Sequence, residues 1–386
     1  MSTLKVTYLQ QASSASPNIT LDASTNATVA GTLAMGHSFK RNRIINGDMR
    51  IDQRNAGASV TVTAATTYST DRWVANASVA SKYAFQQSST APSGFTNSIK
   101  LTSSSAYSVG STEFFGLNQR IEGFNIADLD WGATAAAAGK TAKTVALSFW
   151  VYSSLSGTFG GALYSYSGDA SYAFSYTISS TNTWEFKTIT IAGATIGTFP
   201  TDNSGSLVVN FSIGSGTSIS GTAGSWSSTL YRSATGATSV VGTNGATFYI
   251  TGVQLETGSI ATPYERQIYS DQLAQCQRYL PAFAIGSNSY IPIFSGANTT
   301  TSNTYVGAQL PVEARTAPTG YSLNAGNIYF STASGAIATG TVVFWLATTR
   351  FIGLQISGGS GLVAGNGQLM QASSTATTIY ATGCEL

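Results

Sequence analysis

The stretch TVALSFWVY, residues 144–152, sets Val145, Leu147, Phe149 and Val151 against Ala146, Ser148, Trp150 and Tyr152 in strict alternation. Successive side chains of a β-strand point to opposite faces, so a period of two predicts a half-buried strand and argues against an amphipathic helix over the same residues. SLVVNFSIG repeats the pattern, with Leu207, Val209, Phe211 and Ile213 inward. In ATFYITGVQLETG the apolar set slips by one, from Phe248 and Ile250 to Val253 and Leu255. Gly252 stands at the slip, which predicts a β-bulge there. The 40 glycines and the low share of charged side chains, 9%, fit the same picture. Chains rich in Gly, Ser, Thr and Tyr and poor in Leu, Glu and Lys are built of strands and turns. The predicted fold class is all-β.

A chain of 386 residues can bury two or three cores without help from metals or disulfides. Its formal net charge of +2 provides no long-range field to hold DNA, RNA or an anionic membrane, so no nucleic-acid partner is expected. No run approaches the roughly 20 apolar residues of a membrane span, and the opening MSTLKVTYLQQASSASPNITLD lacks the apolar core of a signal peptide. The expectation is a soluble protein made in a cytoplasm, without membrane insertion, where the sequons at Asn18 and Asn76 carry no weight. Cys276 and Cys384 lie far apart with no Cys or His at metal-ligand spacing. Both read as buried thiols, a single disulfide being the alternative, and no metal or cofactor is expected.

Four segments follow along the chain. Residues 1–40 hold short β-like pieces, LKVTYLQ, NITLD and ATVAGTLAM, with too few large apolar side chains for a core of their own; they read as an attachment and oligomerisation segment. Residues 41–265 carry the alternating strands and read as a β-sandwich. Residues 266–281 contain a helical stretch, SDQLAQCQRYL, with Ser270 or Asp271 as its cap, Leu273, Cys276 and Leu280 on one face, and Pro281 as its stop. Residues 282–386 hold only Glu313, Arg315, Arg350 and Glu385 as charges among strands such as SYIPIF, NIYFS and TVVFWLA. They read as a second β-domain at a tip, its surfaces covered by identical chains.

The one dense run of charge is KRNRIINGDMRIDQR. It places Lys40, Arg41, Arg43, Asp48, Arg50, Asp52 and Arg54 in a chain with only 18 Lys and Arg and 16 Asp and Glu. As a strand, DMRIDQR would turn Met49, Ile51 and Gln53 to one face. The other face would carry a self-neutralising ladder of Asp48, Arg50, Asp52 and Arg54. A structural joint is the expected role, with Lys40, Arg41 and Arg43 less compensated and open to a ligand.

Catalytic patterns are sparse. The single histidine, His37, has no serine elbow near it, and paired carboxylates for glycoside hydrolysis could be drawn only from Asp128 with Asp130, Asp48 with Asp52, or Glu113 with Glu122. Asp169 and Glu185 are the acids that sit among aromatic residues. The aromatic run itself, GALYSYSGDASYAFSYTISSTNTWEF, says more. Flat rings bordered by Ser, Thr and Asn match the C–H faces and hydroxyl rims of sugars. Trp150, Tyr152, Tyr164, Tyr166, Tyr172, Tyr176 and Trp184 are the glycan-binding candidates, and Trp150 and Tyr152 lead because the opposite face of their strand already supplies a core.

Read together, NRIINGDMRIDQRNAG, YSTDRW, LNQRIEGFNIADLDWG, VALSFWV and ITGVQLETGSIATPYERQIYSDQLAQCQRYL resemble, in this order and spacing, a recurrent module of bacteriophage tail fibres and related phage structural proteins. The resemblance covers roughly residues 42–281, and the final ATGCEL resembles the short terminal strand of the same family. It implies a jelly-roll sandwich similar to carbohydrate-binding modules, then a short helix and a distal β-domain, in a homotrimer on a virion. The first forty residues resemble the ends by which phage appendages dock to other tail proteins. The function so implied is a non-enzymatic virion appendage, assembled in the host cytoplasm, that adheres to host surface polysaccharide. A purely structural capsid or baseplate component and a polysaccharide depolymerase are the alternatives.

Overall fold

In the computed structural model the alternating segments pair into antiparallel sheets. The structure describes residues 40–386 apart from 64–65, 286–291, 324–327, 332–336, 339–340, 359–361 and 373–376, and, before residue 40, the backbone of three short paired strands, Tyr8–Leu9, Ile19–Leu21 and Ala27–Val29. His37 and the rest of the N-terminal segment lie outside the described residues. The chain divides into two compact units, Met1–Arg41 and Asn42–Leu386.

Two sheets face each other in the larger unit. One has six strands in the order Glu185–Ile191, Val145–Ser153, Thr247–Thr257, Ser98–Ser103, Tyr83–Ser88, Val60–Thr61. The other has seven: Trp226–Ser227, Ser171–Ile178, Gly157–Ser165, Gly205–Ser215, Phe114–Glu122, Val74–Ala77, Thr67–Tyr68. The order is far from sequential, as in a jelly-roll, and the fold is the all-β sandwich that the alternation predicts. Val145, Leu147, Phe149 and Val151 from the first sheet meet Leu207, Val209, Phe211 and Ile213 from the second, all buried. The Phe149 ring lies 4.9 Å from that of Phe211 and 5.0 Å from that of Tyr176, in edge-on contacts. The bulge is present as well. Pairing of Val145–Ser153 with Thr247–Thr257 shifts between Ser148 and Trp150, opposite Gly252, whose φ of 61° suits glycine.

The helix spans Tyr269–Gln277, starting one residue before Ser270, and no side chain caps it; Ile268 occupies the cap position. Its buried side chains are Gln272 and Cys276, with Leu273 half-buried and Leu280 just beyond its end. Beyond it lie a three-stranded sheet, Ala282–Ile285, Thr377–Thr382, Gly320–Leu323, and a seven-stranded sheet. The latter runs Ile337–Ala338, Ile328–Ser331, Gly367–Ala372, Pro292–Asn298, Asn303–Gln309, Phe351–Ser357, Thr341–Thr348. Phe294, Val306, Ile352, Leu354, Ile356 and Met370 form a second core. Cys276 and Cys384 are buried free thiols, and burial pushes the Cys384 thiol up to about 11.

The charge-dense run is a joint, but not a strand. Residues 45–48 and 53–57 are turns, and Asn46 and Met49 take left-handed φ values of 57° and 59°, which breaks the alternation expected for DMRIDQR. Freed from a common face, its charges reach different segments. Arg50 pairs with Asp48 at 2.6 Å, and Gln272 of the helix donates to the same carboxylate. Asp52 accepts from the backbone N–H groups of Arg54, Asn55 and Gly57. Arg54 pairs with Glu385 and lies 3.7 Å from Asp71. The buried Arg72 binds Glu385 at 3.0 Å, donates to the Arg120 carbonyl and stacks 3.5 Å above the Tyr279 ring. Buried Glu122 accepts two hydrogen bonds from Arg278 and one from the Tyr279 hydroxyl. The sandwich, the residues just past the helix and the C-terminal Glu385 are thereby tied together by charges that are buried or half-buried.

Arg72→Ala takes a buried guanidinium away from Glu385, the Arg120 carbonyl and the Tyr279 ring together, with Arg54 left on Glu385, and is expected to destabilise the fold by about 3 kcal/mol in denaturant unfolding. A loss near zero would show that these contacts add no stability. Burial also pushes the Asp71 carboxyl up from 3.8 to about 7, against the opposing pull of Arg54 and the Gln53 N–H. A carboxyl raised in the fold holds its proton more tightly there than in the unfolded chain. Its contribution is therefore full below its unfolded pKa and fades as pH rises to about 7. Denaturant midpoints measured from about pH 8 down to about pH 5 are expected to gain from this group, and Asp71→Asn should flatten that gain.

Candidate functional site

With one face of Val145–Ser153 committed to the core, Trp150 and Tyr152 must point outward, and both are half-buried. The register builds a patch around them. Trp150 stands opposite Phe186 on one neighbouring strand and Thr251 on the other; Tyr152 stands opposite Tyr249, which in turn faces Lys100. Ring centroids lie 5.4 Å apart for Trp150 and Phe186, 5.1 Å for Tyr152 and Tyr249, and 5.5 Å for Tyr152 and Trp184. Phe186 is 47% exposed and the others are half-buried. The Lys100 ammonium lies 5.7 Å from the Tyr249 ring.

Gly252 shapes the middle of this face. A side chain there would meet Phe95 at 2.7 Å and Trp150 at 3.2 Å, so the bulge glycine leaves room for both rings on the sheet surface. Phe95 packs on Tyr264 at 5.2 Å, and the Arg266 guanidinium covers it at 4.8 Å. Thr183 and Thr188 lie exposed beside the rings. The result is an aromatic surface bordered by hydroxyl groups, the Lys100 ammonium and the Arg266 guanidinium.

The predicted residues divide cleanly. Trp150, Tyr152 and Trp184 come together on this face. Tyr172 and Tyr176 lie in the sandwich core, where Phe149 and Phe159 pack on Tyr176 and Trp226 packs on Tyr172, so neither is open to a ligand. Tyr164 points to the outside of the other sheet but is buried there with Leu230, and its hydroxyl takes a hydrogen bond from Arg232. Tyr166 is 44% exposed on that same sheet's turn, next to Gly205. Phe186, Tyr249 and Lys100 join the surface without having been among the candidates. In ATFYITG, Tyr249 is the outward member between Phe248 and Ile250, so the alternation that assigned Trp150 also marked it.

The acids among the aromatic residues serve the fold. Asp169 accepts hydrogen bonds from the hydroxyls of Ser165, Ser167 and Thr198 and from the Thr198 N–H. Slight burial raises its pKa, but these bonds outweigh burial and hold the carboxyl well below the usual range. Glu185 pairs with Lys187 at 2.6 Å and accepts from the Ser179 and Ser180 N–H groups; these likewise overcome desolvation and keep it low. A general acid for glycoside hydrolysis needs the opposite shift. Asp128 is paired with Arg43, Asp130 with Lys140, and Glu113 accepts from the Tyr107 hydroxyl and the Gly110 N–H. Among the described residues no group of three or more His, Cys, Asp or Glu is placed to hold a metal, and no helix is long and apolar enough to cross a membrane.

No protein-family model matches the sequence, and no curated protein does. Among solved structures, the chain is similar to the enzymatically active domain of bacteriophage CBA120 tailspike protein 4, at 12% identity over 56% of this chain and 22% of that one, with a TM-score of 0.30. It is also similar to the family 11 carbohydrate-binding module of Clostridium thermocellum in complex with a β-1,3-1,4-mixed-linked tetrasaccharide (14% identity, 54% and 100% covered, TM-score 0.27). A third is the CBM22-1-CBM22-2 tandem domain of Paenibacillus barcinonensis Xyn10C (9%, 86% and 98%, 0.25). The chain spans about a fifth of the tailspike's length. Likeness at these TM-scores carries no argument about what this chain does.

The two faces of one strand give a direct check. Phe149→Ala opens the core and is expected to cost about 3–5 kcal/mol in denaturant unfolding. Trp150→Ala, one residue on, loses mainly a partly solvated ring pair and is expected to cost about 1 kcal/mol. Equal losses would show that the outer face is packed rather than open.

Proposed function

We propose that this chain is a glycan-adhesion protein of a bacteriophage virion, with the outer face of the six-stranded sheet as its binding surface. One observation carries the reading. Trp150, Tyr152, Trp184, Phe186 and Tyr249 form a contiguous aromatic surface on a sheet whose core is already filled from the other side. Fold stability does not require large rings there. A sugar ring can lay its C–H face on such a surface while Thr183, Thr188 and Lys100 meet its hydroxyls. With Lys100 and Arg266 as the cations at these rings, the charge is enough to orient a sugar hydroxyl and too sparse to hold a highly anionic polymer, which suits a neutral polysaccharide.

In this reading the N-terminal forty residues dock to other tail proteins, and three copies of the chain present the surface together. Individually weak sugar contacts then gain about 10²- to 10⁴-fold in avidity on a cell surface. The function in this reading is adhesion, and Asp169 and Glu185, the acids near the rings, serve to tie turns through their hydrogen bonds.

Affinity electrophoresis of the purified chain against a panel of neutral bacterial surface polysaccharides tests the proposal. At least one is expected to retard the protein, with Trp150→Ala and Tyr152→Ala each weakening binding about tenfold. Tyr166→Ala, on the other sheet, should leave it unchanged. Retardation that survives both substitutions would remove the site from this face, and no retardation by any polysaccharide would remove adhesion altogether.

A further inference from the structure

We infer that a small cavity beside Trp131 holds the acetamido group of an N-acetylated amino sugar, at a site separate from the aromatic face. The cavity measures about 50 Å³ and is lined by the turn that carries Asp130 and the loop that carries Phe199 and Thr201. Its walls are largely apolar: Ile126, Trp131 and Phe199 are buried there, with Ala127 and Ala135 beside them. Asp130, Lys140 and Thr201 supply the polar lining. Trp226 ties the cavity to the sandwich. Its ring packs on Trp131 at 5.4 Å, and its Nε1 donates to the Ala192 carbonyl, just past the strand Glu185–Ile191. Phe186 of the aromatic face stands six residues before Ala192, roughly 20 Å away at about 3.3 Å per residue.

The walls are fixed by the fold and ask nothing of a ligand's polar atoms. The Trp131 Nε1 already donates to the Lys143 carbonyl at 2.7 Å, and Phe199 meets the Trp131 ring edge-on at 5.6 Å. Gly132, at a φ of 101°, permits that approach, since a side chain there would meet the Gly197 carbonyl at 2.9 Å and Phe199 at 3.3 Å. Water against such walls lacks the partners that hold a buried water in place, so a methyl group that displaces it gains.

Asp130 differs from the acids near the aromatic face. Asp169 and Glu185 are saturated by hydroxyl and N–H donors of the turns that they tie, whereas Asp130 has, among the described residues, only the Lys140 ammonium at 3.1 Å. With the Lys140 side chain 58% exposed, this pair parts at little cost. A carboxylate that accepts, an ammonium that donates and a methyl-sized apolar hollow together describe one group. An acetamido substituent carries N–H, C=O and CH₃ on a single planar unit, and it is neutral, so neither charge of the pair repels it. A carboxylated sugar would be opposed by Asp130 and a free amino sugar by Lys140. The inference deepens the glycan reading by naming a substituent, and rests on that reading only for the source of the sugar.

Saturation-transfer NMR of the full chain with N-acetylglucosamine tests it. Saturation is expected to be strongest on the acetyl methyl protons, a reading on the wild type that needs no variant. Ala135→Leu, which fills the hollow, should weaken the methyl signal's binding curve at least about tenfold. Asp130→Asn keeps a residue type that tolerates the left-handed φ of 56° and should weaken it about threefold. Both variants should keep the wild-type circular dichroism, and Trp150→Ala should leave the methyl signal unchanged. Saturation confined to the ring protons, or a methyl signal that folded Ala135→Leu preserves, would overturn the cavity as a site while leaving adhesion by the aromatic face to its own test. A methyl signal lost in Trp150→Ala would overturn it in favour of that face. Tighter binding of an acetylated lysine peptide than of the sugar would overturn the ligand class.

Discussion

A strand residue belongs to one face of its sheet or the other, and only a bulge can change the assignment. Both sheets of the sandwich spend one face on a single core in which Phe149, Phe211 and Tyr176 interlock. Once those side chains are inside, Trp150, Tyr152 and Tyr249 have nowhere to go but out. Two of the places where the pairing slips are informative in the same way. At Gly252 the slip makes room for Phe95 and Trp150 on the outer surface; after Phe344 it exposes Trp345 and Leu346 in succession.

Charge is used in the reverse sense. A chain with so few ionised groups places many of them where three parts of the larger unit converge. Pairs such as Arg72–Glu385 and Arg278–Glu122 join residues more than 150 positions apart. A buried ion pair adds little stability over a well-packed apolar contact, yet its geometry is demanding and an unmatched charge is heavily penalised. The joint therefore selects one arrangement of the sandwich, the segment after the helix and the C-terminal residues more than it strengthens it. It also explains why Asp71 can sit against Arg54 and still hold its proton to about pH 7: burial acts on it more strongly than its partner does.

Some of this was legible residue by residue. The inward sets of 145–151 and 207–213, the bulge glycine and the outward direction of Trp150 and Tyr152 all follow from a period of two. Tyr172 and Tyr176 show where reading residue type alone misleads. Their strand alternates them with Ser171, Ala173, Ser175 and Thr177, and the larger, more apolar set takes the core. The strand expected at DMRIDQR failed for a local reason. Asn46 and Met49 take left-handed conformations that a strand excludes, and the buried bonds from Asn46 to Ile51 and to the Asp71 carbonyl hold that turn in place.

By itself the sequence determined that this chain forms strands, which side chains share a face and that its few charges cluster, because alternation and composition are local properties. That Tyr172 and Tyr176 turn inward, that Trp184 and Tyr249 flank Tyr152, and that Arg72 reaches Glu385 were decided only in three dimensions. Those contacts join strands far apart along the chain, and their register depends on how the whole sheet pairs.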